Sequence, residues 1–295
     1  MFDENAPVTD YVPEFSETAW DGATIRHLLN HQSGVEYSFA PTKEKPYGGA
    51  RAFEFGTPEF LRAVHPFARY WRAMGLMPQS EHERGTGVYD VTLSLGKTQK
   101  VRPHGELFNY GEHHWVALQL ILERALGRPF EAILAEQQFQ RLHTEHSARI
   151  WVDGVGTAIP NAGTFCTARD LARWGQCMLD DGKSAGTQVG PCRFLIDALE
   201  NPTRGRYTTE SNGWGLLPAQ TGYRNMVFVD VDEGEGSGPL LYASGAFGQK
   251  LVWDVLNRNV IVKMSSIPES NIDLCYVREL PALRSFSKIL PALVC

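Results

Sequence analysis

Leu240-Leu-Tyr-Ala-Ser-Gly-Ala-Phe-Gly-Gln-Lys-Leu-Val-Trp-Asp254 is the stretch that decides how this chain is read, and Asn257-Arg-Asn-Val-Ile-Val-Lys-Met-Ser-Ser266 follows it directly. Together they read as a small-residue turn feeding two β-rich runs, joined by the polar break Asp254-Val-Leu-Asn-Arg-Asn259. That is a hairpin signal, and Gly245 and Gly248 allow close backbone approach at the mouth of the first strand.

Working outward, the chain is β-rich after Gly205. Tyr223 to Val231 reads as a strand, Asp232 to Gly238 as an acidic turn, and Asp273 to Leu290 as an amphipathic helix interrupted by Pro281. Upstream the pattern is helical. Ile25, Leu28 and Leu29 form the apolar stripe of a short helix starting near Ala23 or Thr24 and stopped by Ser33-Gly34. A helix is expected from Thr57-Pro58-Glu59, carrying Phe60, Leu61, Val64 and Phe67. Glu112 to Leu126 is a strong helix closed by Gly127, and a second runs from about Pro129 to Leu142. Thr167-Ala-Arg-Asp170 opens another, which ends at Gly182. Gly85 to Lys100 alternates weakly and reads as a small hairpin turning at Gly96, while Pro7 to Pro13 reads as an extended segment pinned by its prolines.

Helices first, then strands, then a helix imply an α+β fold, with a helical region and an antiparallel sheet. Residues 1–20 read as a connector belonging to the sheet domain, 21–205 as a mainly helical domain, and 206–295 as sheet strands with the C-terminal helix.

Composition narrows the function. The chain has 295 residues, 43% hydrophobic and 21% charged, with a net charge of −6 and no Lys/Arg-rich run, which argues against a nucleic-acid partner. No apolar stretch approaches the roughly 20 residues that span a bilayer, so no membrane partner is expected. The acidic start, Met1-Phe-Asp-Glu-Asn5, does not resemble a signal peptide, and the reading leans towards a cytoplasmic protein. The five cysteines, Cys166, Cys177, Cys192, Cys275 and Cys295, show no C-x-x-C spacing and read as reduced, mostly buried thiols.

Candidate nucleophiles are weak. Gly182-Lys-Ser-Ala-Gly186 matches G-x-S-x-G, but a helix enters it and a loop leaves, the reverse of a nucleophile elbow. Ser94-Leu-Gly-Lys97 lies in a strand-like stretch, where positions three apart face opposite ways. Ser285-Phe-Ser-Lys288 is helical, but Leu283, Phe286 and Leu290 form the expected buried stripe and leave Ser285 and Lys288 to solvent. His27/His31, His113-His114 and His143/His146 lack the companion ligands of a metal site, so neither metal nor cofactor is expected.

Asp3 to Gly34, Phe108 to Glu112, Gly163 to Arg173 and Ala243 to Gly245 nevertheless resemble, in order, the motifs of a serine-hydrolase family that includes class C β-lactamases, DD-peptidases, family VIII esterases and 6-aminohexanoate-dimer hydrolases. Asp3 to Gly34, with "PVTDYVPE" and "ATIRHLLNHQSGV", resembles the segment that follows the family's Ser-x-x-Lys helix. Phe108-Asn-Tyr110-Gly-Glu112 resembles its Tyr-x-Asn signature, and Gly163 to Arg173 resembles a later family helix. Ala243-Ser244-Gly245 stands where Lys-Thr-Gly or His-x-Gly is usual.

The resemblance implies a β-lactamase/transpeptidase-like fold and acyl-enzyme chemistry on a small ester or amide. Tyr110 would be the general base, and the backbone N–H of Ala246, beside Gly245, an oxyanion donor. Glu112, Ala243, Ser244, Gly245 and Ala246 would contact substrate. Glu112 would bring a negative charge where the family has Asn, and Ala243 removes a cation, so esters or uncharged amides are expected over β-lactams. The Ser-x-x-Lys helix and the first strands of the sheet would precede Asp3. On that basis the chain as given is expected to be inactive or incomplete, with apolar residues around Val252, Val260 and Val262 uncovered. A non-catalytic ligand- or partner-binding protein is the alternative, and a homodimer is compatible with either.

Overall fold

The computed structural model describes residues 2–35, 66–95, 102–106, 108–203, 221–230, 238–266 and 279–293. They fall into two compact units that interleave along the chain. The first comprises Met1–Ala132, Arg149–Phe165 and Arg206–Gly215; the second comprises Ile133–Ala148, Cys166–Gly205 and Leu216–Cys295. The sequence reading places breaks at residues 20 and 205, whereas the chain passes between these units five times.

The first unit is built on helices. The opening segment is not extended: Val8–Asp10 and Pro13–Phe15 are 3₁₀ turns, and Val8, Val12 and Phe15 are fully buried in its core. Prolines at 7 and 13 fix the turns rather than a strand, because the apolar residues between them need one common face. Helix α1 (Ile25–Leu29) starts at Thr24, whose hydroxyl accepts from the His27 N–H while the His27 ring accepts from the Thr24 N–H. Helix α2 spans Pro66–Ala73; the start expected at Thr57 lies outside the described residues.

Helix α3 (Val88–Leu95) replaces the hairpin expected from Gly85 to Lys100, of which residues 96–100 lie outside the described residues. Its buried residues, Val88, Val91, Thr92 and Leu95, follow helical spacing, and that stripe overrides the weak two-residue alternation. The Thr92 hydroxyl pairs with the Tyr70 phenol at 2.5 Å. Helix α4 (Glu112–Leu126) ends at Gly127 in the left-handed conformation (φ 63°), where the expected stop lies. The expected helix from Pro129 to Leu142 is a short α5 (Phe130–Leu134) that widens into a π turn at Ala135–Phe139. Strands β1 (Arg149–Ile150) and β2 (Thr164–Phe165) pair antiparallel.

The second unit packs helices on a sheet. Helix α6 (Ala168–Leu179) begins at Thr167, whose hydroxyl accepts from the Asp170 N–H and donates to its carboxylate. Strands β3 (Lys183–Ser184) and β4 (Thr187–Gln188) form a small hairpin, and helix α7 spans Phe194–Glu200. Among the described residues the main sheet has five antiparallel strands in sequence order. These are β5 (Thr221–Arg224), β6 (Val227–Asp230), β7 (Leu240–Gly245), β8 (Gln249–Asp254) and β9 (Asn259–Lys263). The single strand expected at 223–231 is therefore a hairpin. Asn225 and Met226 both take positive φ (53° and 65°), the backbone that a two-residue turn requires.

Helix α6 crosses this sheet at Gly175, where a Cβ would meet Val260 Cγ1 at 2.6 Å, and the Trp253 indole donates to the Gly175 carbonyl at 2.9 Å. Val252 is fully buried, and Val260 and Val262 pack, half-buried, against the core that holds Leu251 and Trp253, so the expected uncovering of these residues does not occur.

Helix α8 (Glu279–Leu293) takes Pro281 in its first turn, where a missing N–H costs nothing, so the expected interruption is absent. Among its described side chains Leu280 and Ser287 are buried and Phe286 is 44% exposed, which corrects the expected stripe at Phe286; the side chain of Leu290 lies outside the described residues. The reason is a polar anchor. Ser287 donates to Asp254 at 2.6 Å and accepts from Asn259, turning that face inward. No helix among the described residues is long and apolar enough to cross a membrane.

Candidate functional site

In the first unit the chemistry gathers around Tyr110. Phe108 to Gly111 brings it to the start of α4, with Phe108 fully buried and Tyr110 half-buried. Beneath it lies the turn after α1. His31 is fully buried and takes a left-handed backbone (φ 52°). Its ring lies flat on the Tyr110 ring, with centroids 4.8 Å apart and planes 14° apart, while Trp115 meets Tyr110 edge-on at 4.9 Å. His31 Nδ1 accepts from the Gly111 N–H at 3.2 Å, and the His31 carbonyl accepts from the Asn109 N–H at 2.7 Å.

Polar neighbours complete this floor. Ser33 and His114, both fully buried, meet at 2.9 Å through Oγ and Nε2, and the Val35 N–H donates to Ser33 Oγ. Gly34 (φ 71°) closes the turn so tightly that a Cβ would collide with the Arg102 carbonyl. Loss of solvent holds His31 and His113 well below the usual imidazole range, with His114 adding repulsion to both, and burial lowers His114 to about 3. All three rings are neutral at pH 7.

Glu112 is the first residue of α4. Loss of solvent pushes its carboxyl up to about 7, and its own backbone N–H only partly offsets this. Burial thus works against the negative charge at this position near neutral pH.

In the second unit the turn Ala246–Gly248 joins β7 to β8. Gly245 faces Gln249 so closely that a Cβ would lie 3.0 Å from Gln249 Cβ. Phe247 sits in the left-handed region (φ 61°, ψ 22°) and is 49% exposed, a strained and open aromatic at the strand mouth. Gln249 locks the other side by accepting from the Ser265 N–H at 3.0 Å and donating to its carbonyl. Ala243 pairs with Leu251, as an uncharged residue should. The next pair is Ser244 with Lys250, where the buried ammonium donates to the Ser244 hydroxyl. Lys250 thus lies on the opposite face of the sheet from Ala243, which packs with Leu251 against the core of this unit.

The structure brings Ser244, Gly245 and Ala246 together on one strand end, with Ala243 just before them, and places Tyr110 and Glu112 together in the other unit. Ser94 is helical, which removes the strand argument against it. Its hydroxyl donates to the Val91 carbonyl and accepts from Arg69, and Lys97 lies outside the described residues. Ser285 and Lys288 are exposed on α8, as expected, and Ser184 lies in the β3–β4 hairpin rather than on an elbow. His27 stacks on His104, and among the described residues no group of three or more His, Cys, Asp or Glu is placed to hold a metal ion. Cys177 is buried, Cys166 half-buried and Cys192 exposed; all three are free.

Sequence reasoning missed His31, Ser33 and His114 as supports, and Lys250 altogether. His27 and His31 read as i,i+4 neighbours on one helix, a spacing that does not hold because α1 ends at Leu29. Lys250 was within reach: pairing across the Ala246–Gly248 turn sets it opposite Ser244.

Comparison with known proteins agrees with this layout. The family model described as Beta-lactamase matches residues 2–283. A 6-aminohexanoate-dimer hydrolase of Paenarthrobacter ureafaciens is 28% identical over 267 residues, which cover 90% of this chain and 60% of the relative. The chain thus spans about three fifths of that relative's length. A Bacillus anthracis structure, a candidate 6-aminohexanoate-dimer hydrolase, superposes with a TM-score of 0.73 at 22% identity, covering 98% of this chain and 68% of its own. EstCE1, a hydrolase with promiscuous acyltransferase activity, gives 0.58 at 15% identity, covering 93% of this chain and 78% of its own. The chain belongs to the Beta-lactamase family, and its fold is of the β-lactamase/transpeptidase type.

Proposed function

We propose that this member of the Beta-lactamase family is a serine hydrolase that cleaves esters or linear amides through an acyl-enzyme. Tyr110 is the general base, and the Ala246 backbone N–H, beside Gly245, is one oxyanion donor. The attacking serine belongs, on the family resemblance, to a Ser-x-x-Lys helix, and the proposal concerns the protein that contains it.

The observation that carries this reading is the setting of Tyr110. Its ring is immobilised between His31 and Trp115, yet the residue remains partly open to solvent. A base must be held in place and still be reachable, and a phenol with an ordinary pKa near 10 needs a neighbouring cation to act near neutrality. The likeness to a 6-aminohexanoate-dimer hydrolase supports the substrate class.

Tyr110→Phe in the complete protein is expected to lower kcat on a p-nitrophenyl ester by about 10²–10⁴-fold, with KM little changed. An unaltered kcat would overturn the assignment.

A further inference from the structure

We infer that His31 is the positioning residue for Tyr110: one neutral imidazole, held in a left-handed turn, grips the tyrosine ring and both flanking peptide groups. The inference rests on reading Tyr110 as the base, and its test uses no turnover.

Three contacts converge on residues 109–111 from His31 alone. Its carbonyl takes the Asn109 N–H, its Nδ1 takes the Gly111 N–H, and its ring stacks on Tyr110 between them. Each contact constrains something different. The two hydrogen bonds set the peptide planes on either side of Tyr110, and the stack sets the rotation of its ring. Accepting from Gly111 requires an unprotonated Nδ1, so the ring proton resides on Nε2.

The backbone shows why the contacts matter. A left-handed conformation favours glycine or asparagine, and His31 adopts it while fully buried. Core filling alone would not select histidine there, because a hydrocarbon side chain would fill the same space without bringing polar nitrogens into the interior. The acceptor and the flat ring together account for the residue. Neighbouring contacts hold the ring in turn, with Trp115 edge-on at 4.7 Å and His114 at 4.5 Å.

The experiment separates acceptor from ring. In the unaltered, ¹⁵N-labelled chain at pH 7, long-range ¹H–¹⁵N spectra should show His31 with Nδ1 unprotonated and Nε2 protonated. His31→Phe keeps a ring and loses the acceptor, so the Gly111 amide should exchange at least about tenfold faster. His31→Asn suits the left-handed backbone and offers an acceptor oxygen, so Gly111 protection should stay within about threefold of the unaltered chain. The Asn109 amide, bonded to the backbone carbonyl, should stay protected in both variants.

A proton on His31 Nδ1 in the unaltered chain would overturn the inference without any variant having to fold. Equal Gly111 protection in His31→Phe and the unaltered chain, or equal loss in Phe and Asn variants, would do the same. If the grip is observed but Tyr110→Phe retains full activity in the complete protein, the base assignment fails and the positioning stands.

Discussion

The two regions that carry the proposed chemistry are held in place by different physics. Around Tyr110, position comes from a turn of buried, neutral polar residues whose contacts converge on a short irregular segment. At the β7–β8 mouth, position comes from a strand ladder that runs unbroken from Leu240↔Asp254 to Gly245↔Gln249. A ladder spreads its load over many equivalent bonds, whereas a turn concentrates it in a few. The turn should therefore fail sharply, when one residue or one proton is added, and the ladder gradually.

The largest effect should come from Gly34→Ala. The new Cβ collides with the Arg102 backbone, which cannot move aside as a flexible side chain can, and the positive φ adds strain. We expect a loss of about 3–5 kcal/mol, measured by urea unfolding. A loss below about 1 kcal/mol would show that the turn is pliable, and the contrast with the ladder would fail.

Acid tests the same turn through its protons. His31, His113 and His114 are kept neutral in the fold but charge freely when the chain unfolds. Their full contribution is present above about pH 6.5. Below it the unfolded chain takes up protons that the fold excludes, so stability falls by up to about 1.4 kcal/mol per histidine per pH unit. Glu112 works in the opposite sense. Its raised pKa means that stability is lost as pH rises from the ordinary carboxylate range through about 7. Thermal melts should therefore show a maximum near pH 6–7, with the steeper fall on the acid side. Glu112→Gln should raise stability at pH 8 by roughly 1–2 kcal/mol and change little at pH 4.

The ladder should yield smaller numbers. Ser244→Ala removes an acceptor from the buried Lys250 ammonium and should cost about 1–3 kcal/mol. In a double-mutant cycle with Lys250→Met, most of that cost should vanish when both are changed. Additive losses would mean that the pair contributes nothing as a pair. Smallest of all, Phe247→Gly should stabilise the chain by about 0.5–1 kcal/mol by relieving its left-handed backbone, with the β7–β8 register unchanged.

Legibility followed the same division. The strand run around Gly245, the α4 boundaries with the Gly127 stop, and the Thr167 cap were readable because each depends on local chemistry: side-chain alternation, a left-handed glycine, a hydroxyl at a helix start. The readings that failed were those in which a weak local pattern met a strong tertiary demand. Val88 to Leu95 alternates like a strand but forms a helix because Val88, Val91, Thr92 and Leu95 are buried together. Phe286 belongs to an apolar stripe on paper, yet Ser287 faces inward, because Asp254 and Asn259 offer it hydrogen bonds.

The candidate site divides likewise. Tyr110, Glu112 and residues 243–246 were legible as sequence motifs, since a motif is a set of neighbours along the chain. The supports were not. His31 reaches Tyr110 across nearly eighty positions, and its role depends on a positive φ that no side-chain pattern announces. The pKa of Glu112 depends on how much water remains around its carboxyl, which is a property of packing rather than of the residue. By itself the sequence determined the family, the fold class and the residues that carry the motifs, because periodicity and capping act over a few residues. Only the tertiary structure decided which groups are buried, which protons they keep, and that Lys250 stands opposite Ser244. Desolvation and cross-strand register exist only once distant segments have packed.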